Sequence, residues 1–148
     1  MMDSEQMSLK SGITAFSTKN FTMAMKLLSP LSEAGNAEAQ YRMAIMYQHG
    51  LGVVANELLA FKCMVSAAKQ DLRLAQHGLG FMYLEGECIG KDAIKAVEWF
   101  TRSAEQGLVG SQSTLAMMYE EGRGVPVDRE KAKQWYRRAG FTDKANTI

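Results

Sequence analysis

Residues 75–107 read AQHGLGFMYLEGECIGKDAIKAVEWFTRSAEQG, and the next stretch, residues 111–143, reads SQSTLAMMYEEGRGVPVDREKAKQWYRRAGFTD. Aligned without a gap, the two share 11 identities in 33 positions at an offset of 36 residues. The same step reaches back through the chain. Ala39-Gln40 stands before Ala75-Gln76 and Ser111-Gln112, and Met46-Tyr47 before Met82-Tyr83 and Met118-Tyr119. Gly50, Gly86 and Gly122 share one position, as do Ala60, Ala96 and Ala132. A fixed period of this length is the mark of stacked supersecondary units, each too small to bury its own apolar face. A half-copy precedes them, with Ala24, Leu27 and Gly35 standing one period before Ala60, Cys63 and Asp71. Upstream of Asn20 the match fades, as expected of a terminal unit.

Within one unit the apolar spacing predicts two helices. Ala75, Leu79, Met82 and Tyr83 recur on one helical face. Gly86 then offers a residue that tolerates positive φ just past the helix end. Asn56, Asp92 and Asp128 stand where a side-chain oxygen caps the second helix. That helix presents Ala96, Trp99, Phe100 and Ser103 on one side, and Ala132, Trp135, Tyr136 and Ala139 in the last copy. Ala44, Gly80 and Ala116 hold one position, where small side chains let helices approach closely. A first helix is expected from about Glu5 to Ser17, then a turn at Thr18-Lys19-Asn20. The expected fold is all-α, an αα-superhelix (solenoid) of about four helix-turn-helix repeats. Its expected parts form a single domain over residues 1–148: a capping pair at 5–38, repeats at 39–74, 75–110 and 111–143, and a tail at 144–148. No cap helix is expected after Gly140, and such an open terminal face favours homodimers or stacking.

Composition bounds the function. Of 148 residues, 47% are hydrophobic and 22% charged, which excludes disorder as the main state. Seventeen basic and sixteen acidic side chains leave a net charge of +1, which argues against a dedicated nucleic-acid binder. No apolar run approaches the ~20 residues that span a bilayer, so no membrane partner is expected. The segment from Met1 to Lys10 lacks the basic start, apolar stretch and cleavage site of a secretory signal, so a cytoplasmic location is expected. Cys63 and Cys88 have no metal-type spacing and read as two buried thiols outside any disulfide.

With these residues in place, the segments Ala75 to Gly107 and Ser111 to Gly140 resemble Sel-1-like repeats, relatives of the tetratricopeptide repeat. The resemblance rests on Leu79-Gly80, Tyr83, Gly86, Asp92, Ala96, Trp99, Ala104 and Gly107. It covers about Ala24 to Gly140 and implies a right-handed superhelix that acts as a scaffold or adaptor for other proteins. The first full unit departs from the pattern with Met43-Ala44, Asn56 and Cys63. Cys88 replaces the usual loop glycine, which implies mild strain if that position needs positive φ. The cysteine-paired branch of the family is a poor match.

Other chemistry reads weakly. Ser66-Ala67-Ala68-Lys69 has the Ser-x-x-Lys spacing of a serine hydrolase, yet its companion motifs are missing. Gly90-Lys91-Asp92 lacks the spacing of a phosphate loop. His49 and His77 lie in different units and read as surface histidines. The run from Arg123 to Arg138 holds six basic and two acidic residues and reads as a solvated face. Trp99 and Trp135 recur at one repeat position and read as core, as do Met46, Met82 and Met118. No enzyme activity, cofactor or metal is therefore expected, and a hydrolase built around Ser66 is the remote alternative.

The resemblance also implies a site. In the tetratricopeptide relatives a stripe of the first helix lines a concave groove. Carried over position by position, it comprises Tyr41, Ile45 and Gln48, then His77, Phe81 and Leu84, then Ser113, Met117 and Glu120. Such a stripe would bind a peptide or protein partner through Tyr41, Phe81 and Met117. The other reading is that Ile45, Phe81 and Met117 pack between neighbouring units.

Overall fold

The computed structural model describes residues 2–148, and among these are nine α-helices and no strand. In chain order they are α1 (Ser4–Ser17), α2 (Phe21–Glu33), α3 (Ala37–His49), α4 (Glu57–Lys69), α5 (Arg73–Glu85), α6 (Ala93–Glu105), α7 (Val109–Glu121), α8 (Arg129–Arg138) and α9 (Thr142–Thr147). The pairs α3/α4, α5/α6 and α7/α8 are the three copies of the period, and α1/α2 precede them.

The punctuation repeats with the period. Asn56, Asp92 and Asp128 each accept, at 3.0 Å, from the backbone N–H three residues on. Each such cap stabilises its helix by ~1 kcal/mol. The backbone N–H of the same three residues donates to Tyr47, Tyr83 and Tyr119 at 2.9 Å, so each inter-helix loop is closed by the same bond. One loop position is left-handed in every copy: Gly52 (φ 69°), Cys88 (φ 65°) and Gly124 (φ 75°). Cys88 thus carries the strain its position implied. At Gly124 a side chain is also barred by space, because a Cβ would run into the carbonyl of Ala93.

The chain gathers into two compact units, one ending at Ala75 and the other beginning at Gln76. In the first, Ala15, Ala24, Leu28, Leu31, Ala39, Met43 and Met46 form one core cluster, and Ala44, Ala60, Met64, Ala67 and Ala68 are buried as well. In the second, Leu84, Ala96, Val97, Phe100, Ala104, Leu115 and Met118 form one cluster, and Ala116, Ala132, Tyr136 and Ala145 another. The small residues have their packing reason. A Cβ on Gly80 would come within 2.8 Å of the Phe100 ring, so the glycine is what admits the phenyl.

A row of buried amides recurs with the period. Gln40, Gln76 and Gln112 all lie in the interior. The C-cap residue of the second helix serves the amide of its own repeat: Gln70 Nε2 donates to Gln40 Oε1 and Gln106 Nε2 to Gln76 Oε1, both at 2.8 Å. The amide nitrogens of Gln40 and Gln112 donate to the carbonyls of Ser32 and Ala104, eight residues upstream. In the last copy the C-cap is Ala139, so Gln112 Oε1 stays buried without a partner.

Three expectations are corrected. Trp99 and Trp135 are half-buried, each covered by a guanidinium, Arg102 at 4.7 Å and Arg138 at 4.3 Å from the ring centre. The enclosed aromatics are their neighbours Phe100 and Tyr136, one residue and about 100° further round the helix. Cys63 and Cys88 are half-buried rather than buried. The tail is not bare, because α9 follows Gly140 and buries Ala145 against Ala116, Ala132 and Tyr136. Helix α8 has 10 residues where α4 and α6 have 13, so the chain turns one helical turn early and brings α9 onto that face. The open terminal face on which a homodimer was expected is thus partly covered.

Candidate functional site

Positions 77, 81 and 84 of α5, and 113, 117 and 120 of α7, follow the helical period. The structure separates them by depth. Met117 is 48% exposed, Phe81 and Ser113 are half-buried, and Leu84 is 6% exposed inside the core cluster. Leu84 is therefore a core residue and not a lining one. A step of three residues turns about 60° back round the helix, which carries position 84 toward Gly80 and the buried face. The same turn carries Glu120 away from Met117. Its Oε1 accepts from the Tyr136 hydroxyl at 2.9 Å, and its Oε2 lies 3.6 Å from Lys144 Nζ. Glu120 thus ties α7 to α8 and α9. Burial and the Glu120 acceptor together push the Tyr136 hydroxyl well above the ordinary phenol range.

His77 is also relocated. It is half-buried, with Nδ1 hydrogen-bonded to the Ser111 hydroxyl at 2.7 Å. Its ring meets Phe81 at 4.9 Å and Phe100 at 5.7 Å, both edge-to-face. Gly110 leaves the space, since a Cβ there would stand 3.2 Å from His77 Cε1. Burial holds the imidazole below its ordinary pKa, so neutral His77 packs as an aromatic. The histidine–serine contact has the look of a nucleophile and its base, but Ser111 is wholly buried and no substrate carbonyl can reach its Oγ. Phe81 meets Phe100 at 4.9 Å, so one side of its ring faces the core and the other remains at the surface.

In the first unit Tyr41, Ile45 and Gln48 are each half-buried on α3. The Arg42 guanidinium lies 5.8 Å from both the Tyr41 and the Phe16 ring centres. Burial raises the Tyr41 hydroxyl, with Arg42 opposing. His49, Ser66 and Lys69 are exposed. Among the described residues no three His, Cys, Asp or Glu side chains converge on a possible metal position. The sequence places Phe100 beside Trp99 on the packed side of its helix, but carries no signal that Phe100, Ser111 and Arg42 are the neighbours that set the stripe.

The comparisons bear on what this arrangement is. The family model of the Sel1 repeat matches residues 37–72, 73–108 and 111–140. The crystal structure of a Sel1 repeat protein from Oxalobacter formigenes is similar with a TM-score of 0.84 and 32% identity, over 91% of this chain and 56% of that one. The structure of c5321, a protective antigen present in uropathogenic Escherichia coli strains and displaying an SLR fold, is similar with a TM-score of 0.76 and 33% identity. That likeness covers 78% of this chain and 25% of c5321. The chain thus spans little more than half of the first protein and a quarter of the second. No curated protein matches it. Sel1 repeats generally serve as scaffolds for protein–protein interaction. Three matches in succession, each laid over one helix pair, make this chain a member of the Sel1 repeat family.

Proposed function

We propose that this protein is a non-catalytic scaffold or adaptor that binds a peptide or protein segment along the first helices of its repeats. The carrying observation is Met117. Its neighbours Leu115, Ala116 and Met118 are buried, yet this apolar side chain stands 48% exposed at the stripe position shared with Phe81 and Ile45. Covering the half of this methionine that remains exposed contributes about 1 kcal/mol, which makes it one anchor among several. In the second unit Phe81 supplies further apolar surface and Ser113 a polar group, and in the first Tyr41 and Gln48 do the same on α3. No helix among the described residues is long and apolar enough to cross a membrane. A cytoplasmic location, part of the same proposal, is supported by Cys63 and Cys88 standing as thiols.

The test is selection from a displayed library of random peptides, followed by measurement of the enriched peptides against variants. Met117→Glu is expected to weaken them by about tenfold or more, a loss on the scale of one buried anchor, with the melting temperature unchanged. Lys62→Ala, on the exposed side of α4, is expected to bind as the parent does. Peptides that bind Met117→Glu and Tyr41→Ala as well as the parent would overturn the assignment.

A further inference from the structure

We propose a second binding site, on the second helices, which takes a carboxylate-bearing segment of an acidic peptide. A surface cavity of about 310 Å³ opens between α6, α7 and α8, lined among others by Glu105, Tyr119, Lys131, Gln134, Trp135 and Arg138. None of the stripe residues lines it. Its cations are held by rings. The Arg138 guanidinium sits 4.3 Å from the Trp135 ring centre, and Lys131 Nζ sits 5.3 Å from that of Tyr119. Among the described residues neither cation stands in an ion pair, whereas Lys133 of the same helix lies 3.6 Å from Glu130.

A guanidinium held over an indole face keeps N–H donors for another group. Those donors match the two oxygens of a carboxylate. The Lys131 ammonium adds a second charge beside it. Helix α8 as a whole is net positive, with Arg129, Lys131, Lys133, Arg137 and Arg138 against Glu130, and of these Lys131 and Arg138 face the cavity. Such a field attracts an acidic partner and rejects a basic one. Glu105, the one acidic side chain in the lining, limits how many carboxylates can enter. Gln134 can hold the peptide backbone through its amide. The stacking is not isolated, since Arg102 lies over Trp99 at 4.7 Å and Lys95 over Tyr83 at 5.5 Å, one period earlier.

The chain has two tryptophans, so Trp99→Phe leaves Trp135 as the sole indole reporter at the cavity. In that background, titration with an acetylated hexaglutamate peptide is expected to change the Trp135 emission saturably, and less so as salt rises. Arg138→Gln and Lys131→Gln should each weaken binding by about tenfold, the scale of one charge-assisted hydrogen bond. Glu105→Gln should strengthen it, and Met117→Gln, which adds no charge, should leave it unchanged, which separates this site from the stripe. Hexalysine should give no response. The proposal is overturned if hexaglutamate produces no saturable change, if Arg138→Gln binds it as the parent does, or if Met117→Gln abolishes binding. It is also overturned if hexauridylate binds as tightly as the peptide, since the surface would then select phosphate.

Discussion

Gly80 and Phe100 are fitted to each other, and the fit shows how single residues set the helix–helix distance in this repeat. Phe100 is fully buried where the glycine yields space, while Trp99 beside it keeps part of its ring in solvent under Arg102. Phe100→Ala is expected to cost ~3–5 kcal/mol. Trp99→Ala should cost less, about 1–2 kcal/mol, because less of its surface leaves water. Chemical denaturation of both variants checks the order, and a larger loss at Trp99 would contradict the packing. His77 offers a test in pH. Its imidazole titrates below its ordinary 6.5 in the folded chain. The unfolded chain therefore binds more protons between the two values, and stability falls as pH drops through 6.5 toward the folded value, then levels off. Urea unfolding from pH 8 to 5 should show this decline, reduced in His77→Gln. Parallel curves for the two proteins would remove His77 from the account.

At the scale of helices, the second helix of each repeat is well marked in the sequence at its start and poorly marked at its end. Asn56, Asp92 and Asp128 were legible as caps because an Asx oxygen before an apolar periodic run has one common use. The end of α8 was legible in part. The resemblance ends the last pair at Gly140, where the chain does turn, while the period of 36 alone carries the unit on to 143. Nor could α9 be read, since six residues with one buried side chain hold too little periodicity. Its weight can be measured. A chain ending at Gly140 should lose about 1–2 kcal/mol, as Ala116, Ala132 and Tyr136 lose the cover of Ala145 and Ile148. The Lys144–Glu120 pair, half-exposed at 3.6 Å, adds little to that figure. Unchanged stability would show that α9 does not cap the last repeat.

Across the whole molecule, the period of 36 residues made the fold legible, because the same residue types meet the same packing demand in every copy. The candidate stripe was legible only in part. Helical spacing placed Phe81 and Met117 on one side of their helices, but spacing does not report depth. Leu84 proved to be core, Glu120 turned to Tyr136, and His77 found Ser111, all through neighbours distant in sequence. The stripe that remains rests on Met117, and the eleven methionines supply the probe. The most direct measurement is a methyl spectrum of the chain carrying ¹³C-labelled methionine methyls, recorded with and without a display-selected peptide. The Met117 methyl should shift on binding while that of buried Met118 holds its position. An unmoved Met117, or shifts confined to Met7 and Met23 on the first two helices, would contradict the account.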